Sequence, residues 1–177
     1  MSTLIFECKK CGTCCRNLFR DSQGVRKGLI LTDREAELFP SKMISPHLGI
    51  GMKEFEELIV IYQLNVRDCP LLSQESRCTV YGMRPLMCRV FPYDPISHNL
   101  SVECPTISNQ FVGLLHPSVF ESFITEVEAS RKMDRYLLKR FKKHFKKGIK
   151  VWYYDLTTRK WVFRAQHFQM PKAVSLI

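Results

Sequence analysis

The 177 residues are 45% hydrophobic and 25% charged, with eight glycines and nine prolines, which excludes collagen-like, low-complexity and intrinsically disordered classes. A chain of this length buries about 70% of its unfolded surface unaided, so its eight cysteines are too many to be explained by a need for disulfides alone. The net charge of +10 is uneven: residues 1–130 hold 13 Lys+Arg against 15 Asp+Glu and residues 131–177 hold 14 against 2, so any argument for an anionic partner belongs to the carboxyl-terminal part.

Cys8 to Cys15 is too dense in cysteine for a regular element and reads as a ligand loop turned by Gly12. Leu29, Ile30 and Leu31 predict a short strand. Thr32, with Glu35 three residues on, is a capping box that opens a helix through Glu37, Leu38 and Phe39, which Pro40 closes. Pro46 to Gly51 reads as a turn, and Leu58 to Val66, rich in branched and aromatic residues, as a strand delivering the chain to Cys69. Ser73 to Arg77 is a polar turn. Pro85 suits the first position of a short helix that Pro92 limits to about two turns, placing Cys88 in a first turn whose free amides favour thiolate over thiol.

From Pro117 onward Phe120, Phe123, Ile124, Val127, Leu137, Leu138, Phe141 and Phe145 recur at spacings of three and four, a helix that Gly148 ends. Val151 to Tyr154 and Trp161 to Phe163 flank a polar turn and predict a terminal hairpin. The expected class is α+β: a small cysteine-rich metal-binding domain of short strands and loops, residues 1–116, followed by a basic amphipathic helix and a β-hairpin, residues 117–177, packed on the same domain.

No apolar run reaches the roughly 18 residues of a membrane span. Met1 to Phe6 is followed at once by Glu7, Cys8, Lys9 and Lys10, which leaves no room for a signal-peptide apolar region. The expectation is a soluble cytoplasmic chain without a transmembrane segment. Cytosolic thiols are kept reduced, so clustered cysteines there point to metal ligands or redox centres. The strongest pattern is Cys8-Lys9-Lys10-Cys11-Gly12-Thr13-Cys14-Cys15, whose two-residue gaps let successive sulfurs turn onto one centre, as in zinc knuckles and ferredoxin loops. Adjacent Cys14 and Cys15 point in different directions on an uncontorted backbone, so one is expected to serve a second centre or stay free. Cys69, Cys78, Cys88 and Cys104 supply four more thiols on separate elements. Eight sulfurs suit one four-sulfur centre with four spare, two such centres, or a polynuclear cluster.

Cys78-Thr-Val-Tyr81-Gly-Met-Arg84-Pro85-Leu-Met-Cys88-Arg89-Val-Phe91-Pro92, following the amino-terminal loop, resembles the YkgJ-like cysteine-cluster family. Its signature is a C-x-x-C-x-x-C-C loop followed by C-x-I-Y-x-x-R-P-x-x-C-R-x-F-P, with Val80 here in place of isoleucine. Cys69-Pro70-Leu71-Leu72 is similar to the family's C-P-F-L element, and Leu31-Thr32-Asp33 to its L-T-x-x-D segment with the aspartate displaced. The resemblance covers roughly residues 6 to 105 and implies an iron–sulfur cluster or zinc as cofactor. Related cysteine sets occur in flagellin lysine methylases, which keeps an enzymatic alternative in view.

Four thiolates around Zn²⁺ or a [4Fe–4S]²⁺ cluster leave a net charge of −2 that needs compensation where it is partly buried. Lys9, Lys10, Arg16, Arg84 and Arg89 adjoin the cysteines in sequence, and Arg84 and Arg89 are the candidate outer partners, Arg84 sharing a helical face with Cys88 four residues on. Tyr81 reads as a core residue with a hydrogen-bonded hydroxyl. His47, His98, His116, His144 and His167 show no ligand spacing and read as solvated or capping, with His98 and His116 the exceptions to watch because they flank Cys104. Glu54, Glu56 and Glu57 form an acidic run on a solvated surface.

Seven cations fall within twelve residues, from Lys139 to Lys150, the wet face of an amphipathic helix by periodicity. Trp152, Tyr153, Tyr154 and Trp161 fit a hairpin core as well as a base-stacking surface. Three functions follow: a metalloprotein for electron transfer or a modification system with a redox or protein partner; a structural zinc module that presents the basic element to an anionic partner; or a cluster-dependent enzyme. Among anionic partners an acidic protein is preferred to nucleic acid.

Overall fold

The structure, a computed structural model, describes residues 6–22, 24–52, 58–94, 99–100, 104–110, 123–144 and 149–163. In chain order its elements are β1 (Arg20–Ser22), β2 (Val25–Lys27), β3 (Leu29–Leu31), α1 (Asp33–Ala36), β4 (Ile44–Gly51), β5 (Leu58–Leu64), α2 (Leu86–Val90), β6 (Tyr93–Asp94), β7 (Asn99–Leu100), α3 (Pro105–Gln110), α4 (Ile124–His144), β8 (Lys150–Asp155) and β9 (Lys160–Phe163). Helices with antiparallel sheets make the class α+β, as the patterning predicts. The chain divides into two compact units, each discontinuous in sequence: residues 1–18 with 67–133, and residues 19–66 with 134–177. The boundary expected at 116/117 lies outside the described residues, as do the acidic run at Glu54, Glu56 and Glu57, the histidines His98, His116 and His167, and the helix stop at Gly148.

The second unit is built on an antiparallel sheet in the order β3-β5-β4-β8-β9. Leu31, Val60, Ile61 and Leu64 are completely or almost completely buried, which explains why the runs around them form strands. The Thr32 capping box forms as predicted: its hydroxyl accepts from the Glu35 amide at 3.3 Å, and the Glu35 carboxylate accepts from the Thr32 amide at 2.9 Å. The helix it opens ends at Ala36, one turn long, with the chain turning through Phe39 instead of continuing helical.

Pro46 to Gly51, expected as a turn, lies inside strand β4, hydrogen-bonded between β5 and β8. Two register irregularities, between Pro46 and Leu48 and between Leu48 and Gly49, make room for the missing amide hydrogen of Pro46. Gln63, fully buried, closes the polar account: its amide donates to the carbonyls of Pro46 at 2.6 Å and Tyr154 at 3.1 Å, and its oxygen accepts from the Gly28 amide at 2.8 Å. His47 is only 3% exposed, with Nδ1 3.3 Å from the Gln63 oxygen, so it is a core residue of the bulge and not the solvated histidine its isolation predicts.

The terminal hairpin pairs Trp152 with Phe163 through Asp155 with Lys160. Asp155 organises its turn: its carboxylate accepts from the amides of Arg26, Thr157 and Thr158, and from the Thr158 hydroxyl at 2.7 Å. In α4, Ala129, Ser130, Met133 and Phe141 are buried while Arg131, Lys132, Arg135, Lys139, Lys142 and Lys143 are exposed, the amphipathic division that periodicity predicts.

Two apolar clusters lie among the described residues of the first unit. Cys104, Ile107 and Phe123 pack with Phe6 and Phe91, the Phe6 and Phe123 rings stacking at 5.0 Å. Val90, Tyr93 and Ala129 pack with Leu86, Met87 and Val127. Among the described residues no helix is long and apolar enough to cross a membrane.

Candidate metal centre

Glycine begins the site. Gly12 stands at φ +74, and a Cβ there would run into the Ser76 carbonyl and lie 2.9 Å from the Leu72 side chain. That left-handed residue starts a 3₁₀ turn over Thr13–Cys15, closed by the Cys15 amide donating to the Gly12 carbonyl at 3.0 Å. The amino-terminal loop is then laced to the segment beginning at Arg67. Leu18 donates to the Arg67 carbonyl at 2.6 Å, Cys69 to the Cys15 carbonyl at 2.8 Å, and the Arg16 guanidinium to the Ser76 hydroxyl at 2.8 Å. The 73–77 turn is present, with Ser73 donating to the Arg77 carbonyl at 2.8 Å and a bridge between Leu72 and Cys78 that folds the second cysteine arm onto the first.

This lacing gathers sulfurs from segments more than fifty residues apart in sequence. Cys15, buried, interacts with the thiols of both Cys14 and Cys69. Hydrogen bonding with Cys15 is the largest influence on each of these neighbours, and against the penalty of burial it holds both at about 7, well below the ordinary thiol. Cys15 keeps the proton and is pushed far up by the same contacts and by burial. The two adjacent cysteines therefore serve one gathering of thiols. The tight turn after Gly12 supplies the contortion that an extended backbone lacks.

Cys88 completes the group from the other arm. Burial raises its pKa first, then the negative charge of Cys14, Cys69 and Cys78, with Arg84 pulling the other way. This reverses the expectation of a thiolate favoured by a helix start, because α2 has only five residues and desolvation outweighs its few free amides. Pro85 is the cap residue of α2 and not its first helical position.

The remaining cysteines have other neighbours. Cys8 meets the Tyr81 hydroxyl and accepts from the Lys10 amide at 3.4 Å. Cys11 is exposed, its sulfur 3.3 Å from the Thr13 hydroxyl. Cys104 is buried in the apolar cluster of Ile107 and Phe123. All eight are free thiols. Among the described residues no three His, Cys, Asp or Glu side chains stand ready as an ion site. What is assembled is a linked set of soft sulfur donors, in which Cys15 meets Cys14 and Cys69 and Cys88 feels the charge of Cys14, Cys69 and Cys78, a donor chemistry that fits zinc or an iron–sulfur cluster.

Two arginines behave differently. Arg84 acts on both Cys14 and Cys88. It follows a 3₁₀ turn over Tyr81–Met83 and precedes α2, so it reaches the thiols from outside that helix instead of sharing a helical face with Cys88. Arg89 lies within α2, and its buried Nε has no hydrogen-bond partner among the described residues. Sequence spacing also missed Glu126 on α4, a half-buried acid whose pKa burial raises and Arg84 lowers; more than forty residues separate it from Tyr81 and Arg84, so no local pattern signals it.

A family model described as "CxxCxxCC: Putative zinc- or iron-chelating domain" matches residues 7–105, the span that contains every cysteine. No curated protein and no solved structure matches the chain.

Proposed function

The chain belongs to the CxxCxxCC family of zinc- or iron-chelating domains, and from that premise we propose that Cys14, Cys15, Cys69, Cys78 and Cys88 are the thiols from which it draws the ligands of an iron–sulfur cluster or zinc, in a cytoplasmic protein of electron transfer or of a modification system. The observation that carries this reading is Cys15, a buried thiol hydrogen-bonded to one cysteine next to it in sequence and another fifty-four residues away. A structural need for small apolar residues does not account for several thiols placed in one another's field, two of them held at about 7. Thiolate is the form that binds metal.

Each part of the chain has a task in this reading. Gly12 turns the loop, Cys15 joins Cys14 to Cys69, and the bridge from Leu72 to Cys78 brings in the second arm. Arg84 sets positive charge against the thiolates. A bound iron–sulfur cluster supplies one-electron chemistry, whereas bound zinc supplies a structural cross-link or a Lewis acid.

The exposed cations of α4 favour a second reading, a structural zinc module that presents a basic element to an acidic protein partner. One preparation decides between them. Protein purified without oxygen is analysed for iron, sulfide and zinc, and its visible spectrum recorded. Brown colour with iron and sulfide supports a cluster for electron transfer or for a cluster-dependent enzyme. A colourless protein with stoichiometric zinc supports the structural module. Cys15→Ser and Cys69→Ser are expected to lose metal and stability together, and Cys11→Ser to lose less of both, because metal binding free energy is part of folding free energy at such sites. A metal-free wild-type protein, or greater loss in Cys11→Ser, would refute this assignment.

A further inference from the structure

One aromatic ring beside the thiols carries two cations. The Arg84 guanidinium carbon lies 3.8 Å from the Tyr81 ring centroid, and the Lys10 ammonium 4.6 Å from the same centroid. Arg84 is anchored there, since its Nε donates to the Tyr81 carbonyl at 3.1 Å. Lys10 arrives from the amino-terminal loop at φ 55, with its amide donating to Cys8 sulfur. Neither cation is ion-paired among the described residues; Glu126 is within Coulombic range of Arg84 but forms no ion pair with it.

Two like charges drawn to one ring oppose each other, and the arrangement is favourable when negative charge stands close by. The sulfurs are the source at hand. Arg84 acts on Cys14 and Cys88, and the Tyr81 hydroxyl meets Cys8. Four thiolates around Zn²⁺ or [4Fe–4S]²⁺ carry net −2, which a lysine and an arginine offset in full.

We propose that Tyr81 is the positioning residue of the metal–thiolate centre: its ring gathers Lys10 and Arg84, one from each cysteine arm, as the two cations that compensate the bound centre, and its hydroxyl holds Cys8 at the edge. This rests on the metal-binding reading above and adds to it the groups that retain the centre. It also separates Arg84 from Arg89, which adjoins Cys88 in sequence but touches neither ring nor sulfur among the contacts described.

The test uses the full chain purified without oxygen with its metal, and follows metal transfer to a chromophoric chelator. Tyr81→Phe keeps the ring and is expected to release metal within about twofold of wild type, while Tyr81→Leu releases it 10- to 100-fold faster, the usual consequence of losing an outer partner. Arg84→Gln and Lys10→Gln also accelerate release, and Tyr81→Leu combined with Arg84→Gln is no faster than Tyr81→Leu alone, because the ring acts through the guanidinium. If the metal is an iron–sulfur cluster, Arg84→Gln and Tyr81→Leu lower its reduction potential and Tyr81→Phe does not, a response that a purely structural ring would not produce. Should Tyr81→Leu fail to fold, Arg84→Gln and Lys10→Gln, at a half-buried and an exposed position, decide the matter. Loaded wild type with unchanged release in Tyr81→Leu and Arg84→Gln overturns the role of Tyr81 alone. Wild type that binds no metal overturns the metal centre and this inference together.

Discussion

A single residue shows most clearly how burial changes chemistry that composition leaves neutral. His47 is driven to about 4 from its ordinary 6.5, by burial first and by the nearby charge of Lys27 second, with the Gln63 hydrogen bond opposing both. Its folded form therefore refuses a proton that the unfolded chain accepts below pH 6.5. By linkage this costs stability progressively as pH falls from 6.5 towards 4, on the order of a few kcal/mol, and nothing is lost on this account above pH 7. Urea unfolding at pH 7 and pH 4.5 checks the sign: wild type should lose this increment on acidification, and His47→Gln should lose measurably less. Lys27 belongs to the same polar group. Its ammonium lies 4.6 Å from the Tyr153 ring centroid, and burial lowers its pKa. Cys15 and Cys88 teach the same lesson in the other unit, where the position of a thiol among its neighbours decides its protonation and its place in the chain does not.

At the scale of elements, local rules succeed where an element is its own cause and fail where a neighbour supplies the cause. The Thr32–Glu35 box and the β8–β9 hairpin carry their instructions within a few residues, and both form. Strand β4 does not: Pro46 and two glycines argue for a turn, and pairing on both edges overrides them by means of a bulge. Helix α4 places Arg135, Lys139, Lys142 and Lys143 at exposed positions, and none of them has an ion pair among the described residues. If these cations only solvate the helix, replacing Lys139, Lys142 and Lys143 by Gln shifts stability by no more than about 0.5 kcal/mol each and leaves metal content unchanged. Fluorescence titration with duplex DNA and with RNA at near-physiological salt is expected to show no binding. A submicromolar complex whose affinity falls steeply with salt would instead assign the stripe to nucleic acid.

The molecule as a whole separates its chemistry from its scaffold. Every cysteine belongs to the unit of residues 1–18 and 67–133, and the five-stranded sheet belongs to the other. Among the described residues the cysteine unit has short elements and apolar clusters around Cys104 and Val90, whereas the sheet unit buries aliphatic strands and the Gln63 network. A metal held by thiols should therefore stabilise the first unit far more than the second. Hydrogen exchange on the loaded protein, before and after stripping with a strong chelator, tests this. Amides of residues 6–18 and 67–92 should lose protection on stripping, while those of β4 and β5 keep theirs. Uniform loss across both units would show that the metal supports the entire fold.

Cysteine spacing and the segment from Cys78 to Pro92 were sufficient by themselves to identify the family and the zinc- or iron-chelating chemistry, because a turn built on Gly12 and pairs of cysteines two residues apart are short-range features. The α+β class, the capping box, the amphipathic helix and the terminal hairpin were legible for the same reason: periodicity and turn residues act within one element. What only the tertiary structure decided was which thiols meet. Cys15 became the link between Cys14 and Cys69, Cys11 stayed exposed beside Thr13, Cys104 was taken into an apolar cluster, and Tyr81 came to carry Lys10 and Arg84. The meetings of Cys15 with Cys69 and of Lys10 with Tyr81 join segments more than fifty residues apart in sequence, and the withdrawal of each group from water depends on such packing; neither quantity is encoded at the position of the residue itself.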